Sequence, residues 1–451
     1  MADAPAMTPS EALMWAIERD PVLRSTFLNI TVLDRPPDVA RLTRRIDETI
    51  AAFPRMRQRV RSATMPWARP AWIEDASFDL RYHVRHVALP PPGTMRALLD
   101  LAGLWLEDAF DPVRPLWQLT VVEGLDDGRA ALLAKMHHTI TDGVGGLRLS
   151  SSFLDFDPDG DNPVRVPVLA GTPDRTGPPA GSPVAAAARL GRRAAGLARP
   201  DLFVRQARGV VDTVASVARQ SIGSPSGSDL WRDRRSMGRR LDTIDLSLDE
   251  ARRTAKALGG TVNDYFVTGV TGGAAAYHRA LGHPVERLRV AMPVSTRVDK
   301  SFGGNSFAPA RVTVPVADPD PTARFLLVHE ALSVARSERA LGMVDALATV
   351  ILTLPPAVLT PIARQQVASV DLAASNLRGS PVELYMAGGR VDANYPMGPT
   401  AGVAFNATVL SYMDRLDMGL VVDAAAVEDP GLLRRCIEAE FTALSGAPAP
   451  A

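Results

Sequence analysis

Several absences narrow the field before any motif is read. The 451-residue chain holds one cysteine, Cys436. A single thiol forms no intrachain disulfide and no cysteine-rich zinc centre, so a disulfide scaffold is excluded. Net charge is missing too: 50 Lys and Arg balance 50 Asp and Glu. A general nucleic-acid binder needs a basic field, which this balance does not supply. The start, MADAPAMTPSEALMWAIERD, has no basic stretch followed by an apolar run, so no secretory signal is read there. No clean apolar run of about 20 residues occurs. The nearest, Val344 to Ala363, is broken by Asp345 and by Pro355-Pro356, and reads as a buried helical hairpin. These absences predict a cytoplasmic protein, with peripheral attachment to a membrane or lipid droplet left open.

What is present is ordinary for a globular chain, with 46% hydrophobic and 22% charged residues. The length suits two to four domains. Composition changes near Phe156. Residues 1–156 read as one domain, and 157–239 as a connection that opens on a Pro/Gly/Asp-rich linker. Residues 240–451 read as a second domain. Within the connection, Val184 to Ile222 is rich in Ala, Val, Leu and Arg and reads as two helices divided at Pro200. Its arginines form either a solvated face or a basic surface for anionic lipid headgroups. Further on, Arg240 to Leu246 alternates like a strand. Ser247 and Glu250 have capping-box spacing, and Thr261 opens another helix after Gly259-Gly260. Strands are expected over Leu288 to Met292, Ala310 to Val316, Gly402 to Ser411 and Gly419 to Asp423, and a helix over Pro430 to Leu444.

The most informative stretch is ALLAKMHHTITDGVGGLRL, from Ala131. Ala131 to Met136 reads as a buried strand that ends in His137 and His138. Neighbours on a strand point to opposite faces, so one histidine can face a cavity while the other packs behind it. An imidazole that titrates near neutral pH suits abstraction of a hydroxyl proton. Asp142 can orient nearby groups, or pair with an arginine and hold the turn. Gly143, Gly145 and Gly146 allow a tight turn and close backbone approach before a helix. A buried core pair of histidines is the plain alternative. A shared metal is disfavoured because the two rings diverge, and the other five histidines lack HExxH spacing. No GxSxG elbow and no phosphate-cradling glycine loop is found.

His137-His138-Thr-Ile-Thr-Asp142-Gly143 matches the HHxxxDG signature of acyltransferases related to chloramphenicol acetyltransferase and peptide-synthetase condensation domains. Around it stand Pro115-Leu116-Trp117, Asn263-Asp264, Met292-Pro-Val-Ser-Thr-Arg297 before Gly304-Asn305, Ser375-Asn376, and Tyr395-Pro396-Met-Gly-Pro399. In this order the set resembles the bacterial wax ester synthase/diacylglycerol acyltransferase family, from about Thr8 to Leu444. The resemblance implies an α/β fold of two chloramphenicol-acetyltransferase-like sandwich domains with an interdomain tunnel. It implies acyl transfer from acyl-CoA to diacylglycerol or a long-chain alcohol, with no metal and no cofactor beyond the acyl-CoA substrate. His138 would be the general base, with His137 and Asp142 structural and orienting. Gly143, Asn263, Asp264 and Arg297 would line the substrate site, Arg297 pairing with Asp142. Glu18 would match a family glutamate near the start, although SEALMWAIE departs from the usual pattern. The family's SNVPGP is here Ser375-Asn376-Leu377-Arg378-Gly379-Ser380, which would reshape one tunnel wall. Other readings are a superfamily enzyme using a carrier-protein thioester and a non-catalytic lipid-binding paralogue.

Overall fold

The computed structural model describes residues 5–63, 69–141, 143–160, 228–232, 234–295, 307–337 and 356–446. The linker beyond Gly160, the Val184 to Ile222 segment, and most of the apolar run from Val344 lie outside these residues, as do Asp142, Arg297, Gly304 and Asn305.

In the first part, α1 (Pro9–Ile17) precedes β1 (Thr26–Leu33), α2 (Val39–Ala52) and the hairpin β2 (Gln58–Arg61) with β3 (Ala71–Glu74). Then come α3 (Leu80–His83), β4 (Val84–Ala88), α4 (Met95–Glu107), β5 (Trp117–Glu123), β6 (Ala130–His137) and α5 (Gly143–Ser151). The later part holds β7 (Arg239–Ser247), α6 (Leu248–Ala257), α7 (Val262–Ala280), β8 (Arg287–Ser295), β9 (Phe307–Pro315) and α8 (Pro321–Ser337). It continues with α9 (Pro356–Ala368), β10 (Leu372–Arg378), β11 (Tyr385–Met386) and β12 (Gly389–Met397). β13 (Phe405–Tyr412), β14 (Arg415–Asp423) and α10 (Pro430–Ser445) complete it.

The helix starts follow from capping chemistry. Ser247 Oγ accepts from Glu250 N at 3.2 Å and opens α6. At α7 both halves of a capping box form: Thr261 takes the Asp264 amide and Asp264 takes the Thr261 amide. The strand expected from Gly402 begins at Phe405 instead. Ala401 (φ 43°) and Gly402 (φ 92°) are left-handed and make a turn first.

Two six-stranded mixed sheets form, ordered β11-β12-β1-β6-β5-β4 and β7-β14-β13-β10-β8-β9. The first order differs from the division of the chain at residue 240. β11 and β12 come from the later part of the sequence, yet they complete the first sheet, β12 running antiparallel to β1. In β12, Val391, Ala393, Tyr395 and Met397 are buried, and the alternation that buries them fixes the register.

One apolar core is shared by both sheets, joining Leu28, Ile30 and Leu98 to Leu241, Tyr395 and Val421. Polar bonds surround it. Arg96 Nη1 donates to Leu241 O at 2.7 Å, Tyr395 OH to Asp245 Oδ1 at 2.8 Å, and Asn394 N to Asp417 Oδ2 at 2.7 Å. Burial pushes the Asp417 carboxyl up to about 6, against the opposing pull of that amide and of Arg415.

β12 and β14 approach tightly at Gly419, where an added Cβ would lie 2.2 Å from Pro396 O. Gly419→Ala should therefore force the sheets apart and lose about 1–3 kcal/mol, as overpacking usually does. Denaturant titration measures this, and an unchanged midpoint would show that the two strands can separate freely.

Candidate functional site

The site is organised by the end of β6. Every residue of this strand is buried. Its last amides turn opposite ways: His137 N donates to Leu116 O at 3.0 Å, and His138 N donates to Ser25 O at 3.1 Å. The Pro115-Leu116-Trp117 motif thereby acquires a physical role. Leu116 supplies the carbonyl, and Trp117, fully buried, anchors it by donating Nε1–H to Met56 O at 2.7 Å. His83 stacks on Trp117 with ring centroids 4.5 Å apart, and its Nδ1 lies 2.7 Å from Trp117 O. A carbonyl only accepts, so His83 carries its proton on Nδ1.

His137 is locked. The Thr139 amide lies 3.1 Å from His137 Nδ1, and an amide can only donate, so Nδ1 accepts. The neutral ring then carries its proton on Nε2, which faces Glu18 Oε2 at 2.9 Å. The same Glu18 oxygen accepts from Ser25 N at 3.0 Å. Trp15 meets the ring edge-on at 6.0 Å. One carboxylate thus lies against the ring of His137 and accepts the amide of the residue whose carbonyl takes the His138 amide. Glu18 is placed to do so because it ends α1, its own amide returning to Met14 O at 3.1 Å.

His138 differs from its neighbour. It lies deep beside Phe27, ring centroids 4.9 Å apart, but keeps part of its surface accessible. Burial pushes its pKa down to about 4, against a backbone hydrogen bond with Thr141. The imidazole is neutral at pH 7, which is the proton-accepting form. Gly146, in the first turns of α5, packs beside Phe27, where an added Cβ would make ordinary contact at 3.4 Å from Cζ. Gly143 is the first residue of α5.

Of the other expected site residues, Asp142 and Arg297 fall outside the described residues. Asn263 and Asn376, from motifs far apart in sequence, meet: Asn376 Nδ2 lies 3.5 Å from Asn263 Oδ1. Asp264, expected to line the site, is instead fully buried. Its Oδ2 accepts from Thr261 N at 2.9 Å and from His329 Nδ1 at 2.8 Å. Its carboxylate satisfies the end of α7, one residue behind Asn263. His329, Thr139 and Ser25 carry no sequence signal of these contacts. Beside Thr26, between the sheets, a cavity of about 20 Å3 is lined by Arg24, Thr26, Glu107, Arg239 and Thr400. That is room for about one water. Among the described residues no cluster of three metal-ligating side chains occurs.

The profile of the wax ester synthase/diacylglycerol acyltransferase catalytic domain matches residues 7–266, and that of the family's C-terminal domain matches residues 303–445. The chain belongs to this family. A Mycobacterium tuberculosis protein named a candidate diacylglycerol O-acyltransferase is 33% identical over 98% of this chain and 92% of its own length. The family's members are acyltransferases, and so is this chain. Its fold follows the solved wax ester synthase/diacylglycerol acyltransferase of Marinobacter aquaeolei VT8. The TM-score is 0.68 at 21% identity, covering 98% of this chain and 100% of that one. The starter condensation domain of rhizomide synthetase, solved with C8-CoA, also superposes, with TM-score 0.59 at 15% identity, 100% of this chain and 97% of that one covered. The two-sheet, chloramphenicol-acetyltransferase-like architecture is therefore the acyltransferase family's own. None of the described helices is long and apolar enough to cross a membrane.

The lowered pKa of His138 fixes a sign. Between about pH 6.5 and 4 the unfolded chain binds a proton that the folded one refuses, so stability falls as pH drops through that window. Activity that depends on neutral His138 should follow the folded value: its kcat/KM is expected to stay level from pH 8 down to about 5 and to decline only near 4. An inflection near 6.5, the ordinary histidine value, would show that His138 is not desolvated.

Proposed function

We propose that the enzyme transfers a long-chain acyl group from acyl-CoA to the hydroxyl of diacylglycerol or of a long-chain alcohol, with His138 as general base. The observation that carries this reading is the contrast within one dipeptide. His137 is held at Nδ1 by Thr139 and lies with Nε2 against Glu18, whereas His138 is neutral, deep and still partly accessible. The relatives' names supply the acceptor class, and the condensation domain's bound C8-CoA supports the donor class.

The chemistry is balanced as follows. The acceptor oxygen attacks the thioester carbonyl while His138 takes its proton, so a C–O bond forms. The tetrahedral oxyanion collapses, the C–S bond breaks, and the imidazolium returns the proton to the leaving thiolate. The products are an ester and free coenzyme A. A base with so low a pKa is weak in the resting enzyme. Negative charge growing on the carbonyl oxygen raises its basicity as the proton moves. Base catalysis of this kind contributes about 10²–10⁴-fold. Backbone N–H groups near Gly143 and the Asn263 amide are suited to receive the oxyanion. On the family resemblance, Asp142 and Arg297 would pair and hold the turn after the histidines. Both substrates would meet in a tunnel between the two halves, which keeps out competing water. The acceptors are lipids, so peripheral contact with a membrane or droplet surface belongs to the same proposal.

The test is coenzyme A release from palmitoyl-CoA with diacylglycerol, with hexadecanol, and with neither, alongside product identification. Release that depends on an acceptor, and that falls at least about a hundredfold in His138→Ala with unchanged circular dichroism, is the expected result. Undiminished release in the mutant would remove His138 from the chemistry. Transfer from an acylated carrier protein but not from acyl-CoA would change the donor.

A further inference from the structure

The turn between α1 and β1 does more than connect them. Within residues 18–25, Glu18 faces His137 Nε2 and takes the Ser25 amide, while Ser25 O takes the His138 amide. Both histidines therefore hang on this turn. Its shape is set in the middle by Asp20, which accepts from Val22 N at 3.0 Å and caps the short 3-10 turn Pro21–Leu23. Asp20 is only 7% exposed.

Its counter-ion comes from the other end of the chain. Arg364, on α9, grips Asp20 with two bonds: Nε to Oδ2, and Nη2 to Oδ1 at 2.9 Å. The guanidinium holds the Asp20 carboxyl below the usual carboxylate range. One turn along α9, Val367 reaches the same place. An added Cβ on Gly402 would meet Val367 Cγ1 at 2.6 Å and Leu23 Cδ2 at 3.3 Å. α9 also leads directly into β10, which carries Asn376 to Asn263. So the element that braces the histidine turn is continuous with the strand that builds the opposite motif pair.

We propose that Arg364 is a positioning residue for acyl transfer. By clasping Asp20 it fixes the 18–25 turn, and through Glu18 and Ser25 it sets His138 relative to the second sheet. Arg364 is itself 57% exposed, so the pair adds little to global stability. Its effect is local. The activity readout rests on the acyl-transfer reading above; the exchange readout does not.

The experiment compares Arg364→Ala, Arg364→Lys and Asp20→Asn in the full chain, by kinetics with palmitoyl-CoA and hexadecanol and by amide hydrogen exchange. Arg364→Ala should lower kcat about ten- to a hundredfold, the usual effect of a small misplacement, with KM nearly unchanged and melting shifted by no more than a few degrees. The amides of Ser25 and His138 should exchange faster while those of β13 and β14 do not. Arg364→Lys keeps the charge without the fork and should recover part of kcat. Asp20→Asn should reproduce the alanine effect, and the combined variant should add little to either. Exchange at Ser25 and His138 that is unchanged in Arg364→Ala overturns the proposal. So does a variant that loses protection across the whole molecule, or one with a raised KM at constant kcat. Should His138→Ala remain active while Arg364→Ala still loosens the two amides, the general-base reading fails and the clasp stands.

Discussion

Two adjacent amides on one strand end cannot bond in the same direction, and this constraint governs the site. His137 N goes to Leu116 O on one side of β6, and His138 N goes to Ser25 O on the other. The strand end is thereby pinned from both flanks, and the two imidazoles leave it facing different surroundings. Everything nearby serves one flank or the other. Trp117, His83 and Met56 secure the first, and Glu18 with the 18–25 turn secures the second. A reactive group needs a fixed position and an environment that sets its charge state. Here both come from where backbone hydrogen bonds are sent, before any substrate is considered.

The division of labour between the histidines has an electrostatic side. Glu18 gives His137 a carboxylate partner, while His138 lies beside Phe27 and bonds the Thr141 backbone. A carboxylate placed against His138 would favour its charged form and spoil it as a proton acceptor in the resting state. The burial of Asp264 follows the same economy. Its charge is spent on the Thr261 amide and on His329, which leaves the neutral amide of Asn263 with its partner Asn376.

Much of this was legible in the sequence, and the failures are specific. The β6 strand, the histidines at its end, the helix starts at Ser247 and Thr261, and the strands β7, β8 and β9 all follow from local pattern, because they depend on residues within a turn or two. The family resemblance added Glu18, which local pattern could not, since its partner His137 is reached only through the fold. Asp264 was read as a site residue because it sits beside Asn263 in a motif. The spacing to Thr261 already carried its capping role, but His329 behind it was invisible. The return of β11 and β12 was missed for a related reason. Val391, Ala393, Tyr395 and Met397 alternate as a strand should, but alternation says that a strand forms and not which sheet receives it.

That return has a consequence for how the protein is made. β1 carries the Ser25-Thr26 end that meets the histidines, and its free edge is closed only by β12, near residue 397. On the ribosome the first sheet must wait, with β1 open on one side, until nearly nine-tenths of the chain has emerged. An open edge is a template for unwanted pairing with other chains. The late strand therefore acts as a seal. A nascent chain that has already presented both histidines still lacks the strand that closes the sheet beside them.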